Sequence, residues 1–132
     1  MATNMQAAYK QNAMKTASPG ELTLMLYNGC LKFIKQAKQA MDAQEIEKRN
    51  IATTKAQNII RELMVTLKTD SEVGQNMMQM YDFILRQLVE ANVKNDPQAL
   101  ANAEDLVTQF RDTWKEVVLI DRQQRHGAGG KA

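Results

Sequence analysis

Ser18-Pro19-Gly20-Glu21-Leu22-Thr23-Leu24-Met25-Leu26-Tyr27-Asn28-Gly29-Cys30-Leu31-Lys32-Phe33-Ile34 is the stretch on which the reading of this chain turns. It opens as a helix should. Serine suits the N-cap, proline the first helical position, and the glutamate three residues after the serine completes a capping box. Apolar residues then recur at spacings of three and four, the period of a helix and not of a strand. The helix is predicted over 19–41.

The same grammar repeats downstream. Asp42-Ala43-Gln44-Glu45 predicts a second capped helix over 43–68. Thr69-Asp70-Ser71 breaks the chain before a third over 71–94. Asn95-Asp96-Pro97 stops and restarts it for a fourth over 97–119. No strand-like alternation competes anywhere. Short connections between long helices favour antiparallel neighbours, hence an all-α, up-down four-helix bundle over 18–120. Residues 1–17 are polar with isolated apolar positions at Met5, Tyr9 and Met14, and read as a strap rather than a core element. Residues 121–132 read as a Gly-rich disordered tail.

The four helices differ in their faces. Helix 4 carries one apolar stripe through Leu100, Ala103, Leu106/Val107, Phe110, Trp114 and Val117, with Phe110 and Trp114 expected in the core. Helix 2 carries one through Ala56, Ile59/Ile60, Leu63 and Leu67, leaving Ile51 and Val65 outside. Helix 1 has two stripes: Leu22, Leu26, Gly29, Phe33, Ala37, and then Leu24, Tyr27, Leu31, Ile34. Helix 3 is broad, with Val73, Met77, Met80, Ile84 and Leu88 extended by Met78, Tyr81, Leu85 and Val89. A bundle helix needs one apolar face. The surplus on helices 1 and 3 is either covered by residues 1–17 and irregular packing, or it is a groove for a partner. The nominated contact residues are Tyr9, Leu24, Tyr27, Leu31, Met78, Tyr81 and Leu85. Nine methionines against three Phe, three Tyr and one Trp favour a surface that re-packs around what it binds.

Other functions find little support. Seventeen basic and fifteen acidic side chains leave a net charge of +2, far from the basic surplus of a nucleic-acid binder. The lysine face Lys32, Lys35, Lys38 lacks interleaved aromatics. No apolar run is long enough to insert stably in a bilayer, no signal peptide is apparent, and the single Cys30 fits a reducing compartment, so a cytoplasmic location is expected. The one histidine, His126, lies in the tail, so neither a di-iron carboxylate site nor a Ser/Cys–His nucleophile pair can be assembled. No Gly-rich loop precedes a helix to cradle phosphate. The charged pairs Arg61/Glu62 and Lys115/Glu116 belong on solvated faces. No enzyme activity, cofactor or metal is expected, and a metal-dependent bundle enzyme is the weaker alternative.

At this point the sequence resembles the flagellin-specific export chaperones of bacterial flagella, the FliS family. The likeness runs over about residues 6–118. It is carried by Thr16 through Ile34, by the preceding Ala8-Tyr9-Lys10-Gln11-Asn12, and by later blocks: Lys55-Ala56-Gln57-Asn58-Ile59-Ile60, Tyr81-Asp82-Phe83-Ile84, Glu90 through Asp96, and Phe110-Arg111-Asp112-Thr113-Trp114. The resemblance implies a chaperone that binds the disordered C-terminal segment of flagellin, prevents its polymerisation in the cytoplasm and delivers it to an export-gate component. It implies that other flagellar regulators could bind too, and that a strap bearing Tyr9 covers a groove until displaced. A helical-bundle adaptor for another protein is the alternative.

Overall fold

The computed structural model describes residues 18–129, with side chains through Gln124. Four helices account for it: α1 (Pro19–Asp42), α2 (Ile46–Thr66), α3 (Glu72–Val93) and α4 (Pro97–Gly129). Each packs on its neighbours in sequence, and α4 closes the bundle against α1.

The helix starts follow from local chemistry. Ser18 Oγ accepts a hydrogen bond from the Glu21 N–H (3.2 Å), Ser71 Oγ from the Gly74 N–H (3.1 Å), and Asp96 Oδ1 from the Gln98 N–H (2.9 Å). The first cap is not the reciprocal box expected, because the Glu21 carboxylate reaches Arg122 of α4 instead, at 3.1 Å. The start of α2 also differs. Gln44 adopts φ 58°, so the chain reverses immediately after α1. That places Glu45 at the N-cap with no capping bond from its side chain and delays the helix to Ile46. Gly74 is buried at the α2–α3 connection, where a Cβ would lie 2.0 Å from the Lys68 carbonyl oxygen. No other residue fits there without moving the loop.

The largest departure is at the end of α4. The segment expected to be disordered from residue 121 continues as helix to Gly129. Asp121-Arg122-Gln123-Gln124 contains no stop signal, arginine and glutamine sustain a helix, and the Arg122–Glu21 pair ties this turn to α1.

The core is graded along the bundle axis. At one end, where α1 and α3 finish and α2 and α4 begin, the buried residues are mostly small, Ala37, Ala40, Ala52, Ala56, Ala91, Ala99 and Ala103, with Leu100 among them. Toward the other end they become large: Ile60, Leu63, Tyr27, Tyr81 and, partly buried, Phe110 and Trp114. Each fully buried Ile34, Ile60, Ile84 or Leu88 contributes about 1.5–3 kcal/mol relative to exposure. The inner face of α4 follows expectation with one correction. Val118, which packs beside Gly20, is buried, while Val117 is 45% exposed. Phe110 and Trp114 cap the core rather than sit inside it.

Candidate partner-binding surface

The bundle centre consumes two of the residues nominated for contact. Tyr27 of α1 and Tyr81 of α3 are fully buried, and their hydroxyls hydrogen-bond to each other across the core. Phe110 of α4 covers both rings, stacked at 5.8 Å on Tyr27 and tilted at 5.5 Å on Tyr81. Burial holds both phenols above their ordinary range, and for Tyr27 the bond to Tyr81 adds to the shift. In this packing neither tyrosine is a surface contact. The reason is angular: the inward direction of α1 falls between the two stripes read from the sequence, through Tyr27, Cys30, Ile34 and Ala37. Cys30 shares that line. Its thiol points at the Ala56 carbonyl oxygen (3.9 Å), and burial pushes it up to about 12.

Leu24, Leu31, Met78 and Leu85 remain half-buried at the seams between helices. Their positions follow from residues seven apart on the same helix. Leu24 and Leu31 continue to Lys38, which sits beside Pro97, Leu100 and Ala101 of α4, so this line follows the α1/α4 seam. Met78 and Leu85 continue to Asn92. Asn92 donates to Asn50 Oδ1 (2.8 Å) and accepts from Arg49 Nε (3.1 Å), both on α2. This second line therefore follows the α2/α3 seam, on the opposite side of the bundle. The four residues do not form one groove. A single partner helix cannot cover them, whereas a chain that wraps the bundle can. Tyr9 lies outside the described residues.

A third seam was hidden in the sequence. Val73 and Met80 share a sequence stripe with Ile84 and Leu88, which are fully buried, yet they are 69% and 45% exposed. They continue at sevenfold spacing to Gln87, which accepts from Asn102 of α4 (3.1 Å), so they lie along α3/α4. Phe83 flanks the same line, and on α4 half-buried Leu106 and exposed Ile120 share the Asn102 side at helical spacing. The sevenfold Val73–Met80–Gln87 repeat was the available signal.

Charge on the surface is mostly paired or solvated. The ion pairs lie at the surface, where each contributes little. Lys32 and Lys55 place their ammonium groups 5.8 and 5.4 Å from the Phe33 ring, which joins α1 to α2 by cation–π contact. Among the described residues no group of three His, Cys, Asp or Glu side chains could hold a metal, and no helix is long and apolar enough to cross a membrane. What the surface offers is apolar seams.

Comparison with known proteins gives a consistent result. The family model described as "Flagellar protein FliS" matches residues 1–121. The flagellar secretion chaperone FliS of Bacillus subtilis (strain 168) is 53% identical over 129 residues, 98% of this chain and 97% of that one. The protein of the same name from Escherichia coli (strain K12) is 33% identical over 112 residues, 83% of this chain and 82% of that one. Among solved structures, a bacterial flagellar chaperone superposes with a TM-score of 0.71 over 87% of this chain and 97% of its own, at 18% identity, a likeness of fold.

Proposed function

The chain belongs to the FliS family of flagellar proteins, and on that premise we propose that it acts as a flagellar secretion chaperone whose client is the C-terminal segment of flagellin. The observation that carries the reading is the pair of half-buried apolar lines on opposite sides of the bundle, Leu24–Leu31 and Met78–Leu85. A client segment that is disordered when free can wrap a bundle and fold into both seams as it binds. Its ordering costs about 2–5 kcal/mol or more, so the interface must be large. Two separated seams meet that need better than one pocket. Methionines at 77, 78 and 80 suit a surface that accepts varied apolar side chains.

In this reading the protein works in the cytoplasm. It keeps flagellin from polymerising by occupying the segment needed for assembly, and presents the client to a component of the export gate. The role is one of binding, with no chemical step for side chains to perform.

Co-purification with full-length flagellin and with flagellin lacking its C-terminal segment tests the proposal. Capture of the full-length protein and loss of capture on truncation are expected. Equal capture of both would overturn the assignment of the client segment and favour an adaptor role.

A further inference from the structure

The α2/α3 seam has a chemical character that the α1/α4 seam lacks. Below Leu85 it widens into a groove of about 410 Å³ floored by Leu85, Val89 and Val93. These residues climb α3 at intervals of four and span about 12 Å, two turns of a helix laid alongside. Val93, the last residue of α3, is 76% exposed. The walls of the groove carry Arg61 from α2, Arg86 from α3 and Lys94 at the α3 C-cap, with Glu90 the only acidic side chain among the lining residues.

The three cations differ in their commitments. Arg86 pairs with Asp82 (3.2 Å) and Lys94 with Glu90 (3.0 Å), both exposed i,i+4 pairs. Such pairs exchange partners at small cost. Arg61 forms no ion pair among the described residues; its guanidinium donates only to the Asn58 amide oxygen, at 3.2 Å. An arginine fork over an apolar floor is matched by a carboxylate, which it can bind with two parallel hydrogen bonds.

We infer that the α2/α3 groove selects a client helix of amphipathic type whose apolar stripe is edged by carboxylates, and that Arg61 is the specificity-determining residue that fixes its register. The inference rests on the proposed binding of the flagellin C-terminal segment and names the chemistry of one of its two seams. The apolar floor supplies affinity without direction, since Leu, Val and Met contacts can slide by a turn. A single charge-assisted bond at Arg61 removes that freedom. A helix edged with lysine would instead meet three cations around the same floor.

Calorimetry of the full chain with the purified C-terminal segment of flagellin, at low and at moderate salt, tests this with three variants. Arg61→Glu should weaken binding at least tenfold and flatten its salt dependence, because the screened attraction is gone. Arg61→Lys should stay within about threefold of the parent. Leu85→Glu should abolish binding through the floor. Arg61 is solvent-exposed, so its variants retain the parent's helical signal and melting midpoint. If Leu85→Glu loses binding while Arg61→Glu matches the parent at both salts, the groove stands and the carboxylate edge is refuted. If both bind as the parent does, the seam is not the client's and the inference falls with it.

Discussion

The hydroxyl pair at the bundle centre makes a sharp prediction about what the core tolerates. Tyr27 and Tyr81 are both fully buried, and each is the hydroxyl partner of the other. Replacing Tyr27 with Phe removes one hydroxyl and strands the other in an apolar interior. A stranded buried hydroxyl costs about 1–3 kcal/mol, and the ring that keeps Phe110 in place is untouched. Tyr81→Phe should cost the same for the same reason. The double variant strands nothing. It keeps the three-ring stack and loses only two oxygen atoms of volume, so it should lie within about 1 kcal/mol of the parent. The three variants therefore predict a coupling of about 1–3 kcal/mol or more, opposite in sign to additive damage. Urea denaturation followed by far-UV circular dichroism reads it, provided the slope of stability against urea is the same for all four proteins. A double variant as damaged as the sum of the singles would refute the argument. The hydroxyls would then be held by something other than each other.

Four further outcomes are expected. Phe110→Ala should destabilise the bundle by about 3 kcal/mol, the lower end for a buried phenylalanine because the ring is only partly covered, and chemical denaturation checks it. Leu31→Glu and Leu85→Glu should each weaken capture of the flagellin segment a hundredfold or more, whereas Val107→Glu, at a fully buried position, should unfold the protein; calorimetry paired with thermal melts separates these. Stability should fall above about pH 8.5, the free thiol value, because the unfolded chain then releases a Cys30 proton that the native state keeps up to about 12; thermal melts across pH should show a shallower fall in Cys30→Ala. Gln44→Gly should raise stability by about 0.5–1 kcal/mol by relieving the left-handed backbone at that turn, measurable as a higher urea midpoint.

Helix number, order and most boundaries were legible because caps and proline act locally. Ser18, Ser71 and Asp96 accept the bonds their sequence contexts announce. The errors arise where a distant partner or a backbone angle decides. Glu21 left its box for Arg122, a hundred residues on, and Gln44 took a positive φ that no residue type signalled. The candidate surface was legible only in part. A helix wheel shows that α1 and α3 carry surplus apolar residues, but not where the inward axis points. Tyr27 and Tyr81 therefore rank among the contact candidates although both are fully buried, and Val73 and Met80, in one stripe with the buried Ile84 and Leu88, are exposed. The wheel also cannot say which flank meets which neighbour. Contacts between helices fix that, among them Asn92 to Asn50, Gln87 to Asn102 and Lys38 beside Pro97.

The gradation of the core from alanine to aromatic has a dynamic consequence. Alanines let the backbones approach closely and leave no side chain free to swing aside, so the end built on Ala37, Ala56, Ala91 and Ala103 acts as a clasp. At the opposite end the helices are held apart by rings; Phe110 is only partly covered, and Trp114 donates its indole N–H to the Gly20 carbonyl oxygen of α1 (2.9 Å). Such a bundle is expected to open first from the ring-built end, with the alanine layer opening last. Backbone amides near Ala56 and Ala91 should exchange with solvent only on global unfolding, while those near Leu63 and Met77 exchange through smaller openings. The chain at residue 18 enters at the ring-built end, so a segment arriving there meets the part of the core expected to open first.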